Sequence, residues 1–376
     1  MNIIYLTTSM MPNDFTKLCK MVKNKPNPSG QIFHYKIISE LQKTNDVRVI
    51  SLRPVSPNAT IQYFNLEIND HYIYPSFVNR KALRHLTFTR SAKKIIAKFK
   101  FDEQPIIMVD LLNVTLTKLA FKLNQKYGWR IVGILTDNPN NLTNVSKRYI
   151  ENVEKRFKIC SGFITLTEEL EKYVNHYNRD SLIFSGILGE EKVYPKPDLD
   201  FEYVFFAGAL YERYGIQTLL DAFKLIDFDA KLIIAGHGKL TEYIATLADN
   251  DPRIIFLGLI PFEEAQQYQQ HSLMNLNPRL FTSTLDFYSV PSKVLEYANS
   301  GRPTVSSIHH DLYKMFGDSI FWVNNINAKT LSEKMNYVYA NYDHALKKAK
   351  EAKEIANNNF GSEIIGEAIN NFLRKI

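Results

Sequence analysis

Residues 203–238 read YVFFAGALYERYGIQTLLDAFKLIDFDAKLIIAGHG, and their pattern decides the fold. Tyr203 to Ala207 is a short apolar run ending in a glycine-bearing loop, Ile216 to Phe223 has helical periodicity, and Lys231 to Ala235 is a second apolar run. A buried strand, a helix and another buried strand make one βαβ unit of a parallel sheet. The alternation continues through a helix at Leu240 to Ala248 and a strand at Ile254 to Leu257, which predicts a doubly wound domain.

Working toward the N-terminus, GILGEEKVYPKPDLD from Gly186 to Asp200 breaks the pattern with two prolines and clustered charges, and reads as an exposed connection. Before it lie strand candidates at Asn2 to Thr7, Val47 to Ser51, Ile106 to Val109, Arg130 to Leu135, Gly162 to Thr165 and Leu182 to Phe184. Helices are expected between them at Phe33 to Lys43, Thr115 to Tyr127, Lys147 to Phe157 and Glu168 to Tyr177. The predicted fold is α/β, with two doubly wound parallel-sheet domains of Rossmann type facing a cleft. The first covers 1–190, the second 201–355, and a C-terminal helix at 356–376 is expected to pack back on the first. The tail from Ala340 is helical material broken near Asn357 to Gly361.

With 376 residues, 45% of them hydrophobic, the chain exceeds one ordinary core and is too apolar to stay disordered. Cys19 and Cys160 cannot build a disulfide framework, and no Cys/His spacing suits structural zinc, so a cytoplasmic protein without a metal site is expected. MNIIYLTTSM is too short and lacks the cationic leader of a signal peptide, and no apolar stretch reaches the roughly 20 residues of a membrane span. The net charge of +7 attracts anions. RKALRHLTFTRSAKKIIAKFKF, Arg80 to Phe101, holds eight Lys or Arg and no acid. It suits peripheral contact with an anionic membrane, and equally a surface helix with its apolar side on the core. Nucleic-acid binding is not expected, because no recognition motif accompanies the basic segment.

In open α/β sheets ligands bind at the carboxyl ends of the strands. Three loops there suit a phosphorylated ligand. Gly208 to Gly215 pairs glycines with Arg213 before a helix N-terminus, although a tight turn with a surface cation has the same features. Gly236-His237-Gly238 lets backbone approach a ligand, and His237 is either a functional or a merely solvated residue. The richest is Asn277-Pro278-Arg279 followed by VPSKVLEYANSGRPTV from Val290 to Val305. Pro291 starts a helix and Gly301 stops it, which puts Lys293 in the first turn and Glu296 one turn on. Such a pair can hold a diphosphate and a ribose diol, or form an ordinary surface ion pair.

The series NPR, PSK, EY and SGRP resembles the donor segment of family 4 retaining glycosyltransferases of GT-B fold, in their bacterial surface-polysaccharide branch. AGALYERYGIQTLLDAF, LIIAGHGKL and IIFLGLIPFEEA are similar to that family's donor loops, in order and spacing from Tyr203 to Ser307. The resemblance implies transfer from a nucleotide sugar such as a UDP- or GDP-hexose to a glycan, lipid-linked or protein acceptor, with retention of configuration and no cofactor. It further implies that Glu296 holds the ribose, that Arg213 and Lys293 hold the diphosphate, and that Gly258 and Leu259 contact the base. Gly30, Gly208, Gly236, Gly238, Arg279, Pro291 and Ser292 complete the expected donor set. The N-terminal half matches more loosely, through Gly30 in its first loop and Asp137 at a strand end.

This sequence departs from the family where Tyr288 replaces a sugar-binding glutamate, with Asp286 the nearest carboxylate, and where Ala209 replaces an arginine. Asp110 stands where relatives often carry a histidine. Asp110 and Asp137 are the candidates for acceptor positioning or proton removal, and each also reads as a cap or loop hydrogen-bonder. The Asp-x-Asp spacings at 198, 227 and 249 precede strands and read as turn residues. Alternative readings are a nucleotide-sugar epimerase of the same fold and a non-catalytic partner subunit.

Overall fold

The computed structural model describes every residue except 23–25, 27, 58, 60, 82, 143–144, 282–287 and 289, and the side chains of 28 and 29. Two compact units are formed. One comprises Met1–Gly189, Phe287–Val290 and Ser362–Ile376, and the other Glu190–Asp286 and Pro291–Gly361.

The strands of the first unit are β1 (Asn2–Thr7), β2 (Asp46–Ser51), β3 (Tyr63–Phe64), β4 (Glu67–Asn69), β5 (Tyr72–Tyr74), β6 (Phe77–Val78), β7 (Ile106–Asp110), β8 (Ile131–Leu135), β9 (Gly162–Thr165) and β10 (Asp180–Ile183). Its main sheet has the order β10-β9-β8-β7-β1-β2-β5-β4, parallel except for β4 against β5, while β3 and β6 form a separate antiparallel pair. Runs such as IIYLT and IVGIL are buried along their whole length because helices cover both faces of a parallel sheet. Helix ends follow local chemistry. The Asn113 side chain accepts from the Thr115 and Leu116 amides to start the helix Val114–Tyr127, and Gly128 stops it at φ 73°. Chain direction across the sheet reverses between β1 and β7, so a crevice opens beyond Thr7 and Asp110.

The helix Ser362–Lys375 closes this unit. Ile365, Ile369, Phe372 and Leu373 enter its core, and Asn370 exchanges hydrogen bonds with Thr44 and Asn45 at 3.1 and 2.8 Å.

The second unit contains β11 (Tyr203–Ala209), β12 (Lys231–His237), β13 (Ile254–Gly258), β14 (Met274–Asn277), β15 (Thr304–Ser307) and β16 (Phe321–Val323), all parallel in the order β13-β12-β11-β14-β15-β16. One face packs on Leu219, Leu220, Phe223, Leu331 and Met335, and the other on a smaller cluster around Tyr203, Phe205 and Ile233. The reversal here lies between β11 and β14, beyond Ala209 and Asn277.

One sequence expectation changes, and the basic segment has the surface helix that one of its two readings gave it. The first-unit helix expected from Phe33 begins at Pro28, which places Gly30 in its first turn instead of a loop; proline is well suited to a helix start. The basic segment folds as the helix Arg84–Ile96 with Phe88, Ala92 and Ile96 in the core. Arg84 is half-buried there, donating to the carbonyls of Val55 at 2.5 Å and Arg53 at 2.9 Å.

Candidate functional site

At the β11/β14 reversal the loops of the second unit close on Lys293. A Cβ added to Gly208, next to last in β11, would lie 2.6 Å from Lys293 Cε and 3.2 Å from its Nζ. Glycine is thus what admits the lysine beside the strand end. The Lys293 ammonium is held below its usual pKa by burial, with Glu296 opposing that effect. Pro291 is the N-cap of the helix Ser292–Asn299, and Lys293 and Glu296 follow in its first and second turns, near free amides that favour an anion. Ser292 is exposed at the first helical position.

The helix is fixed by a residue that spacing did not single out. The Tyr297 hydroxyl accepts from the Ala207 amide at 3.0 Å and donates to its carbonyl at 3.3 Å, fastening the helix to the end of β11. Gln269 Nε2 binds the Glu296 carbonyl at 2.6 Å from the other side. In the sequence Tyr297 stands out only as the second residue of the EY motif, on the inward side of an amphipathic turn.

Arg213 and Arg279 are brought together around one ring. The Arg213 guanidinium lies 4.9 Å and that of Arg279 5.7 Å from the Tyr214 ring centre, and Arg213 also donates to the Tyr214 hydroxyl at 3.0 Å. The Leu280 amide donates to the Arg213 carbonyl at 3.0 Å, which joins the two loops. Gly215, at φ 72°, leaves no room for a Cβ, which would collide with the Pro278 carbonyl. Gly236 and Gly238 run past the backbones of Gly208 and Leu210, and His237 between them is exposed beside Thr241. Gly258 ends β13, and Leu259 beyond it is 55% exposed.

The candidates of the first unit occupy a different environment. Asp110 ends β7 at the β1/β7 reversal, and its Oδ1 accepts from the Leu112 amide at 3.0 Å. Loss of water outweighs that bond and pushes the carboxyl up to about 6. Burial raises the pKa of Tyr5 and Tyr149, and the Asp110 charge adds to the effect. Tyr149 donates to the Leu112 carbonyl at 2.5 Å, and Tyr5 is hydrogen-bonded at 2.8 Å to Nδ1 of the buried His34, whose pKa burial lowers to about 4. Asp137 lies in the loop after β8, where Oδ1 accepts from the Asn138 amide at 2.7 Å and the Asn141 side chain at 2.9 Å. It shapes its own loop. Gly30 is exposed in the first turn of the helix that carries His34 four residues further on.

Tyr288 packs in the first unit, edge-on to Tyr173 at 6.3 Å, and Asp286 lies outside the described residues. Among the described residues no group of three or more His, Cys, Asp or Glu gathers around a metal position, and no helix is long and apolar enough to cross a membrane.

Residues 202–341, which hold the Lys293 loops, match the family model of glycosyl transferases group 1. An uncharacterized glycosyltransferase of Methanocaldococcus jannaschii is 35% identical over 98 residues, 26% of each chain, so the match spans about a quarter of that relative. Solved structures align over the whole length. A sucrose-phosphate synthase from Thermosynechococcus elongatus has a TM-score of 0.74 at 15% identity, covering 100% of this chain and 99% of that one. Anabaena HepE in complex with UDP-glucose has 0.70 at 13%, covering 100% of both. The Arabidopsis thaliana starch synthase IV catalytic domain, bound to ADP and acarbose, has 0.66 at 9%, covering 100% and 99%. The fold is that of the GT-B glycosyltransferases.

Proposed function

We propose that the protein transfers a hexose from a nucleoside-diphosphate sugar to a glycan or lipid-linked acceptor with retention of anomeric configuration, as a cytoplasmic enzyme of polysaccharide biosynthesis without cofactor or metal. The observation that carries this reading is the partly buried Lys293 side chain at the β11/β14 reversal, at a helix start and against a glycine that makes room for it. A cation partly removed from water in that position gains most from a dianionic partner. Donors of this class also fit the relatives solved with UDP, UDP-glucose and ADP.

In this proposal Lys293, Arg213 and Arg279 stabilise charge on the departing diphosphate, and Glu296 accepts hydrogen bonds from the ribose diol. Gly258 and Leu259 flank the base, and Gly236 and Gly238 let backbone amides approach. Asp110 takes the proton of the attacking acceptor hydroxyl, a role that a carboxyl titrating near 6 suits at neutral pH.

The test is calorimetric titration with UDP, GDP and ADP in chelator, for the wild type, Lys293→Ala and Glu296→Ala. Saturable binding of one nucleotide, weakened on the order of tenfold or more by either change, is expected. A folded wild type that binds none of the three overturns the reading.

A further inference from the structure

A second concentration of charge lies in the first unit, apart from every residue assigned above. The helix Val114–Tyr127 buries Leu116, Leu119, Ala120 and Leu123, which leaves Lys118, Phe121 and Lys122 together on its outer side. That helix packs against both the helix Arg84–Ile96 and the helix Lys147–Glu154, which brings Arg148, in the first turn of the latter, and Arg156, just past its end, to the neighbourhood of Lys118. His85, on the helix Arg84–Ile96, feels Lys118, Lys122 and Arg156. The groups acting on these residues are all cationic. Burial first, then the charges of Arg156, Lys122 and Arg148, lower the Lys118 pKa, and burial with the charges of Lys118, Lys122 and Arg156 takes His85 to about 4. Among the described residues none of Lys118, Lys122, Arg148 and Arg156 forms an ion pair, and the Nδ1 of His85 is buried without a partner.

Such a cluster repels itself until an anion arrives. Apolar groups accompany it. Leu86 is 60% and Phe121 37% exposed, and Leu86 shares the outer side of its helix with Arg90 and Lys93, four and seven residues on. A free phosphate or nucleic acid would satisfy the cations and leave Leu86 and Phe121 in water. A bilayer satisfies both, with phosphates for the cations and an interfacial zone for the apolar side chains.

We infer that the outer surface of the helices Arg84–Ile96, Val114–Tyr127 and Lys147–Glu154 docks on an anionic lipid bilayer, Lys118, Lys122, Arg148 and Arg156 meeting lipid phosphates while Leu86 and Phe121 enter the interface. This surface differs from the linear Arg80 to Phe101 segment. Phe88 and Ile96 of that segment are buried in the core and Arg84 is turned to the carbonyls of Arg53 and Val55, and the four cations Lys118, Lys122, Arg148 and Arg156 all come from two other helices and their ends. The inference does not rest on the donor site.

Full-length protein is sedimented with phosphatidylglycerol-containing vesicles and with pure phosphatidylcholine vesicles. The wild type is expected to pellet with the first and stay in solution with the second. K118Q/K122Q should lower the partition coefficient on the order of thirtyfold, and L86S/F121S should lower it while leaving the salt dependence unchanged. Far-UV circular dichroism and an unchanged melting transition of the first unit verify that each variant is folded, and none of the four residues belongs to the proposed donor set. Equal pelleting of K118Q/K122Q and wild type overturns the inference, as does a wild type that ignores both vesicles. Binding of soluble polyphosphate as tight as vesicle binding, insensitive to L86S/F121S, would mark a soluble-polyanion site and overturn it too.

Discussion

Asp110 and Lys293 both lose water at strand ends, and each shifts toward its neutral form. For Asp110 the sign of the stability effect is opposite to that of a salt-bridged carboxylate. Its folded pKa, about 6, exceeds the ordinary 3.8, so the folded state binds the proton more tightly and stability falls as pH rises from about 4 to about 6. Asp110→Asn keeps an acceptor for the Leu112 amide and removes the charge. The variant should be more stable than wild type at pH 7.5 by about 1–3 kcal/mol, with the difference vanishing near pH 4, as read by denaturant titration at the two pH values. Transfer activity should fall in the same variant, and that of the wild type should rise with pH through about 6 if Asp110 is the base. A stabilised variant of undiminished activity would leave Asp110 a structural residue. In the second unit, Gly208→Ala pushes a methyl group to within 2.6 Å of Lys293 Cε. The lysine must turn away, and nucleotide affinity is expected to drop on the order of tenfold. Calorimetry that returns wild-type affinity for this variant would show that Lys293 does not need the space.

Elements were legible where burial and chemistry agree. IIYLT, IIMVD and GFIT announce buried strands because nothing polar interrupts them before the strand end, and the βαβ pattern around Gly208 follows from YVFFA and LIIA. β14 and β15 gave no such signal. Their sequences, MNLN and TVSS, put Asn275, Asn277, Thr304, Ser306 and Ser307 in the interior, where a hydrophobicity pattern expects none. Tertiary bonds make this tolerable. Asn277 Nδ2 donates to Ser306 Oγ at 2.9 Å, Asn275 Nδ2 to Ser300 Oγ at 3.1 Å, and Ser307 Oγ to the Arg279 carbonyl at 2.5 Å. These polar strands hold the NPR loop in place, so the part of the sheet hardest to read is the part that positions Arg279. The helix Ser292–Asn299 was readable from Pro291 and Gly301, whereas its attachment through Tyr297 was not, because a tyrosine's partner lies 90 residues away. Tyr297→Phe removes both bonds to the part-buried Ala207 backbone. Stability of the second unit should fall by about 1–3 kcal/mol in denaturant titration, and nucleotide affinity should fall with it as Lys293 loses its fixed support. Unchanged values for both would deny the hydroxyl that role.

At the scale of the whole molecule the first compact unit leaves the chain at Gly189 and the second begins at Glu190, within a stretch where prolines and charges interrupt the alternation, but a local pattern cannot say which core the helix Ser362–Lys375 joins. The structure assigns Ser362–Ile376 to the first unit, while the preceding helix Tyr342–Phe360 belongs to the second. Gly361 separates them. Packing makes the docking specific. A Cβ on Gly366 would stand 3.0 Å from that of Glu40, and Phe372 and Ile376 lie against Gly162 of β9. Burial of Ile365, Ile369, Phe372 and Leu373 contributes about 1.5–3 kcal/mol each, or on the order of 6–12 kcal/mol together. A typical domain has a net stability of only about 5–15 kcal/mol. Removing residues 362–376 should therefore unfold the first unit and leave the second, with Lys293, Glu296, Arg213 and the proposed donor loops, able to fold. In calorimetric melting the truncated chain should lose one transition and keep one that nucleotide shifts upward, since a ligand stabilises only the unit that binds it. Retention of both transitions would mean that the helix is dispensable to the first core, and loss of both would mean that the two units do not fold independently.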